Sequence, residues 1–392
     1  MAPVKNSVVN PVALKPAVPR LDGVDVLRGL SILAVVLLHI RLRLLFVAKI
    51  NLRAAMPYWV FHPLFTNGDY GVTVFFAVSG SLIALTSLRR FGSLAAMRPR
   101  VFYRIRFARI APLLLLILAV LSVLHLVHAD GFRISAKMTT LPRALLAALT
   151  FHLNWLEAVH GYLPANWDVL WSLSVEEMFY LFFPLVCVVL LRWKRGIGVF
   201  VVLLAAFVVM GPFARTAWTT NEIWQEKTYL GGMDGIALGV LTALLTDVYL
   251  RRSKTLRAAW LWAIQGVGVA MVALILFWPR WHWMHGLGKS GLDCTVLALG
   301  ACLVIFATTV RGTAGRLWTA PVRWFGRHSY EVYMTHEFLV VWGTALYVRW
   351  HRGPLALWVV GILLLSAPLG WAVARCFSEP MNRRLRGAAP AR

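Results

Sequence analysis

The sequence predicts an all-α protein, a polytopic membrane bundle of about ten transmembrane helices with one short re-entrant or interfacial segment. Hydrophobic residues make up 59% of the 392-residue chain, charged residues make up only 14%, and the mean hydropathy is +0.70. Soluble domains are about 45–50% apolar, and here the excess lies in many runs close to the ~20 apolar residues that a membrane-spanning helix needs. The composition therefore favours a membrane protein over a soluble one.

Ten apolar runs are long enough to be membrane spans. They are residues 26–47, 70–88, 110–128, 168–191, 197–213, 231–250, 257–278, 291–310, 329–348 and 355–376. An eleventh run, residues 144–156, is shorter and ends close to the polar sequence HLNW. Counting it as a full span would place the later basic loops on the opposite side of the membrane, so we expect a re-entrant or interfacial segment there.

Positive charge is concentrated between the spans. The chain has 40 Lys and Arg residues against 16 Asp and Glu residues, which gives a net charge of +24. With ten spans, the basic segments 89–109, 192–196, 251–257 and 311–327 all fall on one side, together with both termini. The positive-inside rule makes that side the cytoplasm, and we expect a bacterial inner (plasma) membrane. Nucleic-acid binding is not expected, because no basic stretch falls in a soluble domain.

The chain divides into three parts. Residues 1–20 are rich in proline and lack any acidic residue, which predicts a disordered cytoplasmic tail. Residues 21–378 form the predicted membrane domain, and residues 379–392 form a basic cytoplasmic tail. The four cysteines stand singly, without the Cys/His spacing of a metal site, so neither a metal nor a bound cofactor is expected.

The first predicted helix carries a polar stripe that a plain membrane anchor would lack. At about 100° per residue, Arg28 and His39 point within about 20° of each other, and Asp25 lies within about 40° of His39. Ionisable side chains at membrane depth are costly, and they are functional by default. His39 is the candidate general base, because the ordinary pKa of histidine is ~6.5. Arg28 and Asp25 are candidates for substrate binding.

The second predicted helix contains three small residues in a row, Ser79, Gly80 and Ser81. Small residues allow membrane helices to approach closely, and this packing role is the simpler interpretation. Counting residues along the helices places Ser79 near the depth of His39. Ser79 is therefore also a candidate for substrate binding.

The loop before the third predicted span is rich in arginine. Its last three arginines, Arg104, Arg106 and Arg109, cluster where the span leaves the cytoplasm. Arg106 and Arg109 are one helical turn apart and can share one anion, and guanidinium groups suit phosphate oxygens. Phosphate binding and simple membrane topology explain these arginines about equally well.

The fourth predicted helix carries two adjacent acids, Glu176 and Glu177, in an apolar sequence. Ser172 lies one turn before Glu176 on the same face. Acids inside a membrane are functional by default, although many only pair with a buried arginine. Glu176 is counted near the depth of His39, so it is the candidate carboxylate that orients the histidine in catalysis. Ser172 and Glu177 are candidates for substrate binding.

Two later helices supply weaker candidates for the same site. Asp234 stands near the start of the sixth span, where it either binds substrate or caps the helix. His336 lies in the ninth span, where a lone histidine is more often a hydrogen-bonded partner than a catalyst. Both residues are retained as candidates for substrate binding.

Several of these segments, in this order, resemble the acyltransferase 3 family of integral membrane O-acyltransferases, which is related to the O-antigen and exopolysaccharide O-acetylases. The strongest matches run from Arg28 to His39, Phe75 to Gly80, Arg106 to Arg109 and Trp171 to Pro184. Weaker matches are Asp234 with Gly239, and the Ser329–Tyr330 pair followed by a tyrosine and His336. The resemblance covers nearly the whole chain after residue 20.

The resemblance implies transfer of an acyl group, commonly acetyl, from cytoplasmic acyl-CoA to a hydroxyl of a carbohydrate or similar acceptor. Acyl-CoA is then a donor substrate, and Arg104, Arg106 and Arg109 are expected to contact its phosphates. The expected partners are the lipid bilayer, acyl-CoA and the hydroxylated acceptor. An alcohol that attacks a thioester needs a base near neutral pH, which suits His39.

A different functional class also fits ten spans with charges at membrane depth. A secondary transporter or flippase of a small or lipid-linked substrate would need such residues. Against it, the spans show no evident internal repeat and few glycine or proline breaks. A sugar-binding sensor without turnover is a third interpretation, and it predicts ligand binding that survives loss of His39. Turnover of labelled acetyl-CoA separates the enzyme from both.

Overall fold

The computed structural model describes residues 21–218, 220–252, 256–312, 315–350 and 353–386. Within these ranges the regular structure is entirely helical. Nine helices in this part of the chain are long and apolar enough to cross a membrane. The predicted polytopic helical bundle is therefore confirmed, and the chain is an integral membrane protein. The tail predicted at residues 1–20 lies outside the described residues.

The helices follow one another with mostly short connections. They are α1 (Asp22–Phe46), α2 (Tyr58–Phe65), α3 (Gly68–Phe91), α4 (Pro99–Leu126), α5 (Leu141–Leu149), α6 (Leu153–His160), α7 (Leu170–Leu190), α8 (Gly196–Thr216), α9 (Glu222–Lys227), α10 (Tyr229–Arg251), α11 (Ala258–Phe277), α12 (Pro279–Met284), α13 (Leu292–Arg311), α14 (Ala320–Arg327), α15 (Ser329–Trp350), α16 (Leu355–Val373) and α17 (Glu379–Arg386). All ten predicted spans have a long helix at their position. Nine of these helices are long and apolar enough to be membrane spans. The tenth, α15, has 22 residues but is more polar, because it carries Glu331, His336 and Glu337.

The segment expected to be re-entrant or interfacial forms two short helices. α5 has nine residues and α6 has eight. At 1.5 Å per residue each is about 12–14 Å long, which is too short to cross the ~30 Å hydrocarbon core. Between them Phe151 adopts a positive φ of 56°, which breaks the helix. The chain therefore turns here, as the charge argument required.

The three small residues of α3 have separate roles. A Cβ atom at Gly80 would lie 2.0 Å from the Ile236 carbonyl oxygen on α10, so only glycine allows this approach. Ser81 is fully buried in the same contact, where its hydroxyl donates to the Gly239 carbonyl at 3.1 Å. Ser79 instead lines a cavity. Packing therefore explains Gly80 and Ser81, whereas Ser79 lies in the wall of the cavity.

Substitution of Gly80 by alanine is expected to lower the free energy of unfolding by about 1–3 kcal/mol or more, because the rigid backbone of α10 cannot yield to an extra methyl group. The measurement is the thermal unfolding temperature and the monodisperse fraction in detergent. Gly198→Ala on α8 is the matched control, because a Cβ atom there meets nothing within 4 Å. Equal stability of the two variants would contradict the proposed tight contact.

Helix α1 lies against α3, α14 and α15. Its contact with the short helix α14 is very close, since a Cβ atom at Gly326 would lie 1.9 Å from the Asp25 carbonyl oxygen. Three ion pairs join α14 to α1, one of them a longer contact of 3.8 Å between Arg327 and Asp22. Arg323 binds the Asp22 carboxylate at 2.7 Å, and Arg327 donates to the Asp25 carboxylate at 3.3 Å. Asp25, a predicted substrate-binding residue, therefore serves to fix α14 on α1 in the structure.

The end of the chain continues the bundle. A π-helical turn, Ala374–Ser378, follows α16 and leads into α17, which packs against α4. The first part of the predicted basic tail at residues 379–392 is thus a docked helix with three arginines in its last turn. Residues 387–392 lie outside the described part of the chain. The docking of α17 brings Arg386 to the wall of a cavity in the bundle.

Candidate active site

A cavity of about 480 Å³ lies among α1, α3, α4, α7, α15 and α17. Six of the residues predicted for the site line it: Arg28, Ser79, Arg106, Arg109, Ser172 and Glu176. They come from four different helices, so the fold brings together side chains that lie up to about 150 residues apart in the sequence. The other predicted residues are outside this lining. They are Asp25, His39, Arg104, Glu177, Asp234 and His336.

The lining of the cavity is strongly cationic. It contains the five arginines Arg28, Arg90, Arg106, Arg109 and Arg386, whereas Glu176 is its one acidic residue. Nε of Arg106 is buried without a hydrogen-bond partner among the described residues. A buried guanidinium N–H without a partner costs free energy, and an anionic ligand would satisfy it. We call the end of the bundle where these arginines lie the arginine-rich end.

One network of side chains occupies the middle of the cavity. The Tyr180 hydroxyl donates to Oε2 of Glu176 at 3.1 Å, and it also hydrogen-bonds to Oγ of Ser79. The guanidinium of Arg106 lies over the Tyr180 ring, 3.9 Å from its centroid. Arg106 and Arg28 both interact with the charge of Glu176. The Glu176 carboxylate therefore lies near two cations and accepts a hydrogen bond from a phenol.

Arg109 stands at the edge of the cavity with its own acidic partner. Its Nη1 lies 3.8 Å from Oε1 of Glu331, and its guanidinium is 5.5 Å from the Tyr330 ring centroid. Arg104, by contrast, is exposed and does not line the cavity. Two of the three predicted phosphate-binding arginines thus face the same space, and the third does not.

His39 lies in a second cluster, with His336 and Glu337 of α15. The ligand atoms of the three residues all lie within 4.8 Å of one another. Nε2 of His39 and Nε2 of His336 are each 3.9 Å from Oε1 of Glu337, and the two rings are 5.0 Å apart at their centroids. Glu337, absent from the predicted set, is therefore the carboxylate beside His39.

The protonation of the two imidazoles follows from their backbone contacts. Nδ1 of His39 lies 2.8 Å from the Val35 carbonyl oxygen, and Nδ1 of His336 lies 2.8 Å from that of Tyr333. A carbonyl oxygen only accepts, so in both neutral rings Nδ1 carries the proton. The lone pairs are then on the Nε2 atoms, and that of His336 lies 3.4 Å from Nδ1 of His39. His39 keeps 18% of its side chain exposed, whereas His336 is fully buried, so His39 is the more accessible of the two imidazoles.

The predicted pairing of Glu176 with His39 is therefore wrong. Glu176 contacts Tyr180 in the cavity, and the carboxylate near His39 belongs to Glu337. Residue counting gave the depth of each side chain along its helix axis, but it could not give the direction in which α7 and α15 turn their faces. Glutamate next to His336 in an otherwise apolar helix was the sequence signal for Glu337.

Tyr333 lies between the cavity and the histidine cluster. It lines the cavity, and its hydroxyl is 2.7 Å from Oγ of Ser172 and 2.9 Å from the Val169 carbonyl oxygen. Its ring is 6.0 Å from that of His336, one helical turn further along α15. The cavity therefore reaches the helical turn next to His336. Tyr333 and Tyr180 were not predicted, because tyrosines in membrane helices carry no charge signal.

Asp234 and Glu177 are not brought into either group. The Asp234 carboxylate pairs with Arg215 at 2.8 Å and accepts from the Thr295 hydroxyl at 2.5 Å. It is 1% exposed, so it serves as the buried centre of the contact among α8, α10 and α13. Oε1 of Glu177 is buried without a hydrogen-bond partner among the described residues. The predicted substrate-binding roles of both residues have no support in this geometry.

A buried ion cluster stands at the opposite end of the bundle from the arginines. Lys227 is fully buried, with Nζ 2.9 Å from Oε2 of Glu157 and also bonded to the Asp168 carboxylate. The other oxygen of Glu157 accepts from the Leu163 backbone N–H at 3.0 Å. Burial, together with the nearby Asp168 carboxylate, raises the pKa of Glu157 well above its ordinary value, and the Lys227 ammonium opposes that rise. The cluster joins α6, α9 and the start of α7.

Comparison with known proteins gives one family and several relatives. The family model described as "Acyltransferase domain" matches residues 21–375. The chain is 23% identical over 365 residues to O-acetyltransferase OatA of Staphylococcus aureus strain NCTC 8325, covering 88% of this chain and 55% of the relative. It is also 23% identical over 354 residues to the putative O-acetyltransferase SACOL0978 of strain COL, covering 84% and 52%. The chain thus spans about half the length of these relatives, and no solved structure matches it.

Proposed function

The chain belongs to the acyltransferase 3 family of membrane proteins, and from this we propose that it moves an acyl group, acetyl in the first instance, from cytoplasmic acyl-CoA to a hydroxyl of a carbohydrate or similar acceptor. The observation that carries the proposal is the position of the arginine-lined cavity, which reaches Tyr333, whose ring lies 6.0 Å from that of His336, the histidine that contacts His39. An anionic acyl donor suits the arginine-rich end of the cavity, and a general base suits the end near the histidines. The names of the relatives support acetyl as the group.

We assign the donor to the cavity. In this proposal the phosphates of acyl-CoA bind at the arginine-rich end, where Arg106 offers an N–H without a partner. The pantetheine arm extends along the cavity, and its thioester reaches the level of Tyr333. The Tyr180 ring lies under the Arg106 guanidinium and holds it in place, and the charge of Glu176 compensates that of Arg106 between turnovers.

We assign the base to His39. The acceptor hydroxyl gives its proton to Nε2 while its oxygen attacks the carbonyl carbon of the thioester. The carbon–sulfur bond then breaks, and the CoA thiolate leaves and takes up a proton. Glu337 stabilises the imidazolium that forms in this step, 3.9 Å away. His336 lies behind His39, with its Nε2 3.4 Å from Nδ1 of His39, and limits the rotation of that ring.

Arg106→Ala is expected to raise the KM for acyl-CoA by about tenfold or more with a smaller change in kcat, because a charge-assisted contact is worth about 1.5–3 kcal/mol and serves mainly binding. Steady-state kinetics of CoA release measure both constants. Arg104→Ala is the matched control, since Arg104 is two residues away but exposed and outside the cavity. If Arg104→Ala and Arg106→Ala change KM equally, the arginines act through general charge and the donor assignment fails.

The arginine-rich end is expected to face the cytoplasm, because the basic loops all lie there. A single cysteine introduced at Ser93, in a variant where the four native cysteines are replaced, should be labelled only after the cells are permeabilised. A cysteine at Ser290, on the loop before α13, is the control and should react in intact cells. Labelling of the Ser93 position from outside would reverse the topology.

The transfer itself is tested with purified protein and labelled acetyl-CoA in the presence of cell-envelope glycans. Labelled acceptor or stoichiometric CoA release is expected. A transporter or flippase would move its substrate without breaking the thioester, and a sensor would bind without turnover. Absence of label in every glycan fraction, from protein that binds CoA, would contradict the proposed reaction.

A further inference from the structure

We propose that His39, His336 and Glu337 form a zinc-binding site, and that a Zn²⁺ ion bound there inhibits acyl transfer. The three ligands come from two helices, about 300 residues apart in the sequence, which is why the search for Cys/His spacing in short segments predicted none. The site depends on geometry alone. The inhibition, unlike the binding, rests on the proposed role of His39 as the base.

The orientation of the two imidazoles is the first argument. Because the Nδ1 protons of His39 and His336 point to backbone carbonyls, each ring offers its Nε2 lone pair to a cation, and that of His336 has only the long 3.4 Å contact with Nδ1 of His39 to give up. Nδ1–H bound to a backbone carbonyl is the usual outer contact of a metal-binding histidine, since it fixes the tautomer and the ring direction. Both rings thus already have the support that a metal site requires.

The separation of the ligand atoms is the second argument. A tetrahedral Zn²⁺ ion with bonds of about 2.0–2.2 Å sets its ligand atoms about 3.4 Å apart. Oε1 of Glu337 lies 3.9 Å from Nε2 of each histidine. The two glutamate–histidine separations are therefore about half an ångström too long, and Nε2 of His336, which lies 3.4 Å from Nδ1 of His39, must also turn toward Nε2 of His39 to complete the site. One ligand atom from each of the three residues lies within 4.8 Å of the others, which is close enough for one cation to bind all three.

The chemistry and burial of the ligands select the type of ion. Imidazole nitrogens suit zinc, copper and nickel, whereas magnesium and calcium prefer oxygen ligands. Two histidines and a glutamate are a recurrent set for zinc with an open fourth position. His336 is fully buried and Glu337 is 7% exposed, while His39 is 18% exposed, so the open position faces the accessible side of His39. The positive charge of Arg43 interacts with Glu337 and weakens the attraction of the site for a cation.

A bound ion would stop the reaction for a simple reason. The lone pair on Nε2 of His39 that binds zinc is the one that the proposed mechanism needs to accept the acceptor's proton. Zinc and catalysis are therefore mutually exclusive at this atom. We expect turnover to fall as the site fills and to recover fully when a chelator removes the ion.

Binding is tested first, without any assay of turnover. Purified, chelator-treated protein in detergent competes with a chromophoric chelator for Zn²⁺, and Co²⁺ is used as a spectroscopic probe of four-coordinate nitrogen and oxygen ligation. One ion per chain is expected. His39→Ala, His336→Ala and Glu337→Gln should each weaken binding by more than about 100-fold, because even outer-shell changes cost 10–100-fold. His285→Ala removes an exposed histidine elsewhere and should leave this site intact.

Inhibition is tested second, on the same preparation. The Zn²⁺ concentration that halves turnover should equal the dissociation constant from the binding experiment, and Mg²⁺ should have no effect. Glu337→Gln keeps both imidazoles, so any turnover it retains should resist zinc at that concentration. Zinc binding that is unchanged in all three ligand variants would overturn the site. Binding at the site with undiminished turnover would overturn the inhibition and, with it, the role of His39 as base.

Discussion

His39→Ala is expected to lower kcat by about 10²–10⁴-fold, the usual contribution of a general base. Its Nε2 is the accessible lone pair of the histidine cluster, and the neighbouring His336 is fully buried and cannot reach an acceptor. Binding of acyl-CoA should change little, because the arginines that line the cavity are on other helices or more than two turns away along α1. The measurement is turnover per folded molecule, beside CoA affinity.

The two glutamates separate the catalytic role from the binding role. Glu337→Gln should lower kcat, since an amide cannot stabilise the imidazolium 3.9 Å away. Glu176→Gln should act mainly on KM for the donor, since Glu176 belongs to the network around Arg106. Near-normal turnover in folded His39→Ala protein would exclude this histidine as the base. Loss of kcat in Glu176→Gln, with normal kcat in His39→Ala and Glu337→Gln, would lead to the same conclusion.

Lys227→Met is expected to destabilise the protein by about 3–5 kcal/mol, because it leaves the buried carboxylate of Glu157 without its cation. The loss should depend on pH. Burial raises the pKa of Glu157 in the folded state, so the folded protein binds this proton more tightly than the unfolded chain does. The stability contributed by this proton is present at low pH and is lost as pH rises through the folded pKa. The difference in unfolding temperature between Lys227→Met and the wild type should therefore shrink as pH falls.

The double variant Lys227→Met/Glu157→Gln provides the control. With both charges of the pair removed, no buried carboxylate remains in α6, and Asp168 keeps partial access to water. Replacing a whole buried ion pair by neutral groups is often close to neutral in stability. The double variant should therefore recover most of the loss. A double variant as unstable as Lys227→Met would show that the lysine contributes by packing.

The membrane architecture could be predicted from the sequence, because twenty apolar residues and basic flanks are one-dimensional signals. A large part of the cavity could be predicted as well. Arg28, Ser79 and Glu176 are predicted as polar groups inside apolar helices, and Arg106 is predicted from the arginine cluster before the third span. The structure places all four around one space. Polar side chains inside membrane helices have no water to contact at the lipid face, so they tend to lie against one another in the interior of the bundle.

The partners of these residues could not be predicted. Glu337 faces His39, and Asp234 binds Arg215 on another helix. Both outcomes depend on the rotation of each helix about its own axis, which is set by glycine contacts such as that of Gly80 with α10. A sequence gives the depth of a side chain along its helix, whereas its direction follows from the packing of the whole bundle.

Helix α1 carries both Arg28, in the cavity wall, and His39, in the histidine cluster, eleven residues or about 16 Å apart on one face. A continuous helix transmits an axial shift or rotation from one of these residues to the other. If a bound donor favours one position of α1, it sets the position of His39 before the acceptor arrives. Thermodynamic linkage then requires reciprocity: whatever factor the donor adds to acceptor affinity, the acceptor adds to donor affinity.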